Sequence, residues 1–432
     1  MTNPVNHAFQ KFITCIWLFL AMPPLSAQTN VPVGVPSTNW IVPQVVHDIK
    51  KIKQQQFVAF NPQYREEKSN FVTRLRPVAK RLFAQEAAGS DVQCAHQIFE
   101  EIFWLITSSA DVNRMNQRLR DLETSLAPSA SNEVKKAAGP DCVTEWWWRL
   151  EWYYDHVKKD QPIPPEILDV INSPEKLTAH LKPLSVSDIS RTGRDNWYEF
   201  NMTCADLIRW IVRDRPDDKA FHPQLKKTML NLVFQFQDPE TGFWGQRYII
   251  NGREQFVPDL STTFHIVSFL KGDVPHLDKI VATTLAVKDL DAPLGWFYQG
   301  QAWNHNFVDA VELFKWSWPH ASDEQKREVA AGIHDMLHRC LTESLQPDGS
   351  FKHLEIDQSI EEATYFGVEF LSRIGYFDKS KRFWTDQDFP DAENVRQNII
   401  SFIHRQPGGA AGGSWYHDAL NSLNSGKKNG SN

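Results

Sequence analysis

An all-α fold built from repeated helical hairpins is predicted by three observations. A Gly-aromatic turn recurs, apolar residues between its copies follow helical spacing, and no alternating strand pattern is longer than a few residues. The turn copies lie at 237–244, 294–296, 346–351 and 413–415. Their glycines are 53, 54 and 64 residues apart: Gly242, Gly295, Gly349 and Gly413. A period of this size with about two helices is typical of a hairpin repeat array.

The helices of the array are predicted as four pairs by their apolar periodicity. These pairs are 201–213 with 223–237, 259–270 with 277–287, 306–318 with 323–345, and 359–374 with 392–405. A hairpin cannot bury its apolar face alone and must stack on its neighbours. With about ten to twelve helices the array can close on itself. The predicted architecture is therefore an α/α toroid with a funnel at one end and an N-terminal helical extension.

The domain organisation follows from composition along the chain. Residues 28–160 are predicted to form the N-terminal helical region, because apolar stripes recur over 71–83, 92–105 and 112–126. The Pro-spotted segment 161–195 is predicted to be an irregular linker. The repeat region is assigned to 196–423, and the polar segment 424–432 is predicted to be a disordered tail.

The N-terminus has the pattern of a secretory signal peptide. Lys11 precedes the apolar run 12–22, and a Pro-Pro break is followed by small residues up to Ala27. We predict a signal peptide over 1–27 and a secreted or periplasmic protein, with no membrane association after cleavage. The alternative is an uncleaved N-terminal anchor.

Charge and cysteine usage exclude some functions. The net charge of −7 and the pI near 6.1 argue against a nucleic-acid partner, because phosphate binding needs a basic surface. The mature cysteines show no CxxC pair, so we predict no metal site and no cofactor. Widely spaced cysteines in a helical domain are predicted to be small buried residues, although export permits disulfides. These residues are Cys94, Cys142, Cys204 and Cys340.

The turns resemble the Gln–Trp repeat of the terpenoid cyclases and prenyltransferases. The resemblance rests on the patterns Gln237-x4-Gly242-x-Trp244 and Gln346-x2-Gly349-x-Phe351, and it covers roughly residues 190–420. It implies an α/α toroid. The cyclase chemistry is not supported, because 289–292 departs from Asp-x-Asp-Asp at its last position and 217–221 lacks the third carboxylate of Asp-Asp-x-x-Asp. Toroids of this kind are also used by exported polysaccharide lyases and glycoside hydrolases, so fold does not choose the function.

The period predicts where polar side chains converge. In a toroid the N-terminal ends of the inner helices meet at the mouth, so residues at equivalent positions after each turn should be neighbours. The strongest cluster is 303–306, where His305 is flanked by two asparagines at a helix start, with Asp309 and Glu312 one and two turns on. The functional interpretation is a polar clamp with His305 as a base or charge neutraliser. The alternative is helix capping by an asparagine.

Two further clusters carry carboxylates. Asp259 is either an N-cap for Thr262 or, with His265, part of the cleft. Asp357 and Glu361 share a helix face if their helix begins early enough, or else form an acidic first turn. The predicted catalytic residues are Asp259, His305, Asp357 and Glu361. The predicted substrate-binding residues are Asn201, His265, Trp303, Asn304, Asn306 and Tyr365.

These residues predict an exported carbohydrate-active enzyme, either a glycoside hydrolase or a polysaccharide lyase, with a polysaccharide or oligosaccharide substrate. A hydrolase needs two carboxylates across the sugar. The Asn304-His305 pair resembles the active site of alginate-type lyases, where Asn and His neutralise a uronate carboxylate and a Tyr moves the proton; Tyr365 and Tyr416 would be the candidates. The alternative function is a non-catalytic toroid that binds a glycan or a protein.

Overall fold

The protein is predominantly helical, as the sequence predicts. The computed structural model describes residues 44–88, 90, 92–127, 142–156, 161–354, 357, 359–406 and 415–424. These form two compact units. The first unit comprises described residues up to 233 together with 245–257, and the second unit comprises 234–244 and 258 onward. The predicted signal peptide and most of the predicted tail lie outside the described residues.

The first unit is a set of short helices. Its elements in chain order are α1 (Gln44–Phe60), α2 (Tyr64–Ala87), α3 (Gln93–Ser108), α4 (Val112–Ser125), α5 (Trp146–His156), α6 (Pro165–Ile171), α7 (Pro174–Leu184), β1 (Val186–Ser187), α8 (Ile189–Thr192) and α9 (Trp197–Leu207), which continues as a π-helix over Ile208–Asp214. The helix α10 (Leu225–Phe236) follows. Helix α4 packs on α2 and α3, and α9 packs on α5 and α7.

The prediction of an irregular linker over 161–195 is wrong. Two helices, a short strand and a one-turn helix occupy the segment. Pro165 and Pro174 stand at the starts of α6 and α7, and Ser173 caps α7 by accepting from Lys176 N. Proline is favoured in the first helical turn, where its missing N–H has no partner to lose. The prolines therefore begin helices here and do not break them.

A small sheet lies between the helical stretches. Strands β2 (Gly245–Ile250) and β3 (Arg253–Pro258) are joined by a two-residue turn, and β1 pairs with β2 in parallel. Asn251 and Gly252 both have positive φ, of 52° and 73°. Asn-Gly is the residue pair that two-residue hairpin turns favour. Residues 245–258 therefore form a hairpin.

The core of the first unit is cross-linked. Buried residues of α2, α3, α4 and α5 form one apolar cluster, and a disulfide joins Cys94 to Cys142 at its edge. The prediction that the cysteines are simple buried residues is wrong for this pair. It holds for Cys204 and Cys340, which are free and buried. Sequence spacing alone does not indicate which cysteines meet, because that depends on how α3 and α5 pack.

The second unit contains the predicted hairpin array. Its helices are α11 (Leu260–Phe269), α12 (Leu277–Ala286), α13 (Asn304–Ser317), α14 (Asp323–Arg339), α15 (Ile360–Arg373), α16 (Ala392–His404) and α17 (Trp415–Asn424), with β4 (Phe297–Tyr298) and β5 (Gln301–Ala302) before α13. Three predicted pairs are confirmed within a few residues of their ends, apart from the π-helical turn at Cys340–Ser344 after α14. Helix α17 was not predicted.

The odd-numbered helices of this unit pack side by side in a row. Helix α13 packs between α11 and α15, and α15 packs against α17, whereas α12 packs on α13 and α14. Contacts between α13 and α15 rise together along both helices: His305 with Phe366, Phe307 with Phe370, and Glu312 with Arg373. Two helices whose contacts rise together run parallel. Their N-terminal ends therefore lie on the same side of the row.

The recurring turn has a packing reason. Gly242 and Gly349 adopt positive φ of 72° and 93°, where glycine is unstrained. A Cβ on Gly295 would lie 2.0 Å from the Leu290 carbonyl oxygen, so a side chain is excluded there as well. The Gln237 side-chain amide donates to the carbonyls of Gly242 and Pro275, each at 2.8 Å. The turn thus ties one hairpin to the start of the next.

No helix among the described residues is long and apolar enough to cross a bilayer.

Candidate functional site

The two asparagines at the start of α13 hold the turn in place. Asn304 donates through Nδ2 to Ser344 Oγ at 2.8 Å, and Asn306 donates to the Gly295 carbonyl. Trp303 is the N-cap residue, and no side chain caps this helix. The alternative of capping by an asparagine is therefore wrong. Both side chains bond to neighbouring segments, which leaves His305 between them as the group presented to the surface.

His305 is held between aromatic rings. Its imidazole stacks on Phe366 with centroids 4.0 Å apart and an interplanar angle of 8°, and Trp303 lies 4.9 Å away. The residue is half-buried, and its nearest ring neighbours are apolar. Burial, with a smaller effect of His265, lowers the pKa of His305 to about 3. The side chain is therefore a neutral imidazole near pH 7.

His305 belongs to a continuous row of rings, which we call the aromatic strip. Its neighbouring centroids are 4.0 to 6.0 Å apart across β4 and the starts of α13, α15 and α17. One end is exposed, since Trp415 retains 40% of its accessible surface. The other members are half-buried. The strip consists of Tyr298, Trp303, His305, Phe366, Tyr365 and Trp415.

Asp357 lies beside the strip. Its Oδ1 accepts from Trp303 Nε1 at 2.9 Å and its Oδ2 accepts from Leu354 N at 2.7 Å. Trp303 and Asp357 are 54 residues apart and occupy the same position after their glycines, so this contact brings together repeat-equivalent residues as predicted. Burial raises the pKa of Asp357, and the two hydrogen bonds only partly oppose it. Among the described residues, the hydrogen bonds to this carboxyl come from two neutral donors, and His353 adds a smaller charge effect that also opposes the rise.

Asp357 and Glu361 do not share a helix face. Helix α15 begins at Ile360, because Ser359 caps it by accepting from Glu362 N. Asp357 therefore lies in the preceding segment. Glu361 is in the first turn, where its Oε1 accepts from Tyr416 N at 3.2 Å. The condition for a shared face, an earlier helix start, is not met.

The tyrosines near Glu361 are poor proton carriers. Burial raises the pKa of Tyr365 to about 12, and Glu369 and Asp418 add to the rise. Burial also raises the pKa of Tyr416 to about 12. A phenol with such a pKa gives up its proton less readily than free tyrosine.

Asp259 and His265 are positioned by α11. Asp259 is buried and accepts from Thr262 N at 2.5 Å, which makes it the N-cap of the helix. His265 is half-buried and stacks on Phe269 with centroids 5.6 Å apart. Because His265 contributes to the pKa shift of His305, the two imidazoles lie within electrostatic range of each other.

Asp309 is a buried acid that was not among the predicted catalytic and substrate-binding residues. Asp309 is fully buried on α13, and neither carboxyl oxygen has a hydrogen-bond partner among the described residues. Burial raises its pKa well above the usual value; Arg373 opposes the shift, and Asp259 and Glu312 strengthen it. The sequence feature that could have identified Asp309 is its position as an acid inside the mainly apolar run 307–314.

An ion network lies deeper along the same helices. Arg373 donates to Glu312 Oε2 at 3.0 Å and to Glu369 Oε2 at 3.1 Å. Glu369 also accepts from Ser422 Oγ, and Glu312 accepts from Trp316 Nε1. The network links α13, α15 and α17. Sequence reasoning did not identify Arg373, because its partners are 61 and 4 residues away along the chain.

The predicted site residues separate into two groups. Trp303, His305, Asp357 and Tyr365 meet around the aromatic strip through the contacts above. Asn201 lies in α9 of the first unit, where it is buried. It therefore belongs to a different compact unit from the other candidates.

No group of three metal-ligating side chains occurs among the described residues. A surface groove of about 830 Å³ lies in the first unit, between α7, β1 and α8. None of its lining residues belongs to the predicted site. The chemistry is better placed at the aromatic strip.

No protein-family model matches this sequence, and comparisons with curated proteins and with solved structures find no significant similarity.

Proposed function

We propose that the protein is an exported carbohydrate-active enzyme, and specifically a glycoside hydrolase, with its active site at the aromatic strip. The observation that carries the proposal is the hydrogen bond from Trp303 Nε1 to Asp357, which joins a half-exposed row of rings to an acid of raised pKa. Aromatic faces stack on the apolar faces of sugar rings. A carboxylic acid of raised pKa is what a glycosidase needs to protonate a leaving group.

Hydrolysis is favoured over elimination by the protonation states. A lyase of the predicted kind needs a cation to neutralise the uronate and a tyrosine to move the proton. His305 is neutral near pH 7, because its pKa is about 3. Tyr365 and Tyr416 hold their protons, because the pKa of each is about 12. The groups required for elimination are therefore in the wrong charge state.

The roles follow from position and charge. Asp357 donates its proton to the glycosidic oxygen as the bond from that oxygen to the anomeric carbon breaks. Water adds to the anomeric carbon and passes its proton to a second carboxylate. Glu361 is our first candidate for that base, because it is half-buried in the first turn of α15 beside Trp415 and Tyr365; Asp259 is the second. His305 and Trp303 form the platform under the sugar.

The proposal also covers the architecture of the second unit and the export of the protein. We propose that the second unit is part of an α/α toroid, which the side-by-side packing of α11, α13, α15 and α17 supports. Export is supported by the predicted signal peptide and by the disulfide Cys94–Cys142, since disulfides persist in oxidising compartments. The acidic net charge supports a partner other than nucleic acid.

The second candidate is glycan binding without catalysis. It is favoured by one observation: both oxygens of Asp357 already accept hydrogen bonds, which is also what a purely structural carboxyl does. The strip would then be a binding surface only.

The test is to assay the mature protein against neutral and acidic glycans, reading reducing ends and absorbance near 235 nm together. We expect new reducing ends from a neutral glycan without new absorbance. Asp357→Asn should lower kcat/KM by about 10²- to 10⁴-fold, the usual contribution of a general acid. The exposed variant Asp386→Asn is the matched control and should change nothing. Absorbance at 235 nm would favour a lyase, and binding without any product would favour the second candidate.

A further inference from the structure

The hairpin formed by α1 and α2 is basic, although the protein as a whole is acidic. Residues 44–87 contain nine Lys and Arg residues and four acids, whereas the whole chain contains 46 basic and 53 acidic residues. Two of the four acids, Glu66 and Glu67, lie in the first turn of α2, where they complement the helix N-terminus. Between Lys68 and Gln85 the helix contains four further cations and no acid. The net charge therefore hides a local positive surface, which we call the basic hairpin (44–87).

Most cations of the basic hairpin are on its outer surface. Lys53 points inward and pairs with Asp195 at 2.8 Å, which fastens α1 to the rest of the first unit. Arg74 donates to Asn116 on α4, a neutral side chain, so its charge is not cancelled by that contact. Six of the nine cations are exposed and can reach a partner outside the chain: Lys50, Lys51, Arg65, Arg74, Lys80 and Arg81.

Two cations approach each other across the hairpin. Burial and, to a smaller extent, the charge of Lys50 lower the pKa of Lys68 to about 8, so Lys68 is still mainly charged near pH 7. Its Nζ donates to Tyr64 Oη at 3.1 Å, and this phenol is neutral because burial raises its pKa. Two cations brought together attract an anion more strongly than either alone. This part of the surface is therefore suited to a negatively charged partner.

An exposed aromatic ring at the apex of the hairpin narrows the kind of partner. Phe60 ends α1 and retains 40% of its accessible surface. One edge of the ring packs on Gly193, where an added Cβ would lie 2.5 Å from Cε1. A soluble polyanion gains little from a phenyl ring, whereas a bilayer surface attracts cations to its headgroups and accepts aromatic side chains at the interface. The combination favours an anionic lipid surface.

We propose that the basic hairpin docks the protein on an anionic phospholipid surface, with its cations over the headgroup phosphates and Phe60 among the headgroups. The contact is peripheral and needs no membrane-spanning segment. It is independent of the aromatic strip and goes beyond the proposed glycoside hydrolase. It also revises the expectation of no membrane association after signal cleavage, which did not consider the local charge of 44–87.

The test measures cosedimentation of the mature protein, from residue 28 onward, with lipid vesicles. This chain lacks the apolar run 12–22, so that run cannot contribute to binding. Vesicles of phosphatidylcholine with about 30% phosphatidylglycerol should bind the protein, and pure phosphatidylcholine should not. Binding should be lost as salt rises from about 0.05 to about 0.5 M, because salt screens the attraction. Equal binding to both vesicles, or none to the anionic ones, would overturn the proposal.

A matched pair of charge-reversal variants tests the surface itself. Lys80→Glu/Arg81→Glu should weaken binding to the anionic vesicles by about tenfold or more. The control Lys226→Glu/Lys227→Glu makes the same charge change at two exposed cations of α10 and should leave binding nearly unchanged. The thermal unfolding midpoint of each variant checks that it is folded. An equal loss in both variants would show that net charge alone governs binding, and would overturn the assignment to the basic hairpin.

The role of Phe60 distinguishes a lipid surface from a soluble polyanion. Phe60→Ala should weaken binding to anionic vesicles by about threefold or more and leave binding to inorganic polyphosphate unchanged. If polyphosphate binds as tightly as the vesicles and Phe60→Ala affects neither, the surface is a general polyanion site and the lipid proposal is wrong. Hydrolysis of soluble glycans is measured without vesicles, so the failure of one proposal is distinguishable from the failure of the other.

Discussion

The two units treat buried charge differently. In the first unit, buried carboxylates have cationic partners: Glu101 pairs with Arg118 at 2.8 Å, and Asp195 pairs with Lys53 at 2.8 Å. In the second unit, Asp357 accepts from two neutral donors with a smaller charge effect from His353, and Asp309 has no hydrogen-bond partner among the described residues. Cations lie against Glu101 and Asp195, whereas burial is the largest effect on Asp357 and Asp309 and raises the pKa of both.

This difference is the reason why the proposed function places its general acid at Asp357. A paired carboxylate stays ionised and holds two segments together. A carboxylate without a cation near it tends to keep its proton, which is the state that a general acid needs. Perturbed acids cluster at functional sites more often than elsewhere. The following predictions test two points. The first is whether the stability of the first unit depends on its disulfide and its buried ion pair. The second is whether the stability of the second unit depends on the protonation of Asp309.

The disulfide of the first unit should have the largest effect on stability. It closes a loop between residues 48 apart, for which chain entropy predicts about 4 kcal/mol. The double variant Cys94→Ser/Cys142→Ser should lose about this much free energy of unfolding in a urea titration. Adding a reductant should destabilise the wild type by a similar amount and leave the double variant unchanged. Equal sensitivity of both proteins to reductant would contradict the prediction.

Removal of Glu101 should have the next largest effect. Arg118 is only 5% exposed. Without Glu101 its guanidinium would stay buried, and its remaining ion pair would be the one with Asp121. Breaking a buried pair in this way costs about 3 kcal/mol or more. Glu101→Ala should therefore lower the free energy of unfolding by that amount. The control is Glu123→Ala, an exposed acid on α4, and a similar loss in both variants would mean that pairing is unimportant.

Asp309 should make the second unit less stable as pH rises. The folded state holds its proton to a higher pH than the unfolded state, whose carboxyl has a pKa near 3.9. Between these two pKa values the folded state binds more protons, so stability falls with rising pH by up to about 1.4 kcal/mol per unit.

Asp309→Asn should flatten that slope above about pH 4, as measured by urea unfolding at several pH values. The slope is informative even if the buried amide lowers stability by a constant amount. The exposed variant Asp386→Asn should keep the wild-type slope. An unchanged slope in Asp309→Asn would mean that the carboxyl is ionised when folded.

Much of the fold could be predicted from local patterns. The helices of the array follow apolar spacing. Three turn glycines, Gly242, Gly295 and Gly349, are required by positive φ or by close backbone contacts, and Gly413 lies outside the described residues. The errors arose where a residue has two structural uses. Proline was interpreted as a helix breaker at 161–195 but starts α6 and α7. The Asn251-Gly252 pair is the usual turn of a hairpin, but the sequence analysis gave it no role.

The candidate site was partly predictable because it follows the repeat. Trp303 and Asp357 lie at equal distances after their glycines, and they contact each other. Phe366, Glu369 and Arg373 were missed because α13 and α15 are staggered: His305 meets Phe366, 61 residues on, although the repeat is 54. A stagger of seven residues is about two helical turns, and no pattern within one helix encodes it.

The sequence by itself determined most of the helices and the turns between them, because these depend on spacing and on backbone angles. Tertiary structure alone decided which cysteines meet, which carboxylates find a cation and which rings form the strip. Those properties depend on the distances between segments that lie far apart in the chain, and protonation in particular depends on everything that surrounds a group once it is buried.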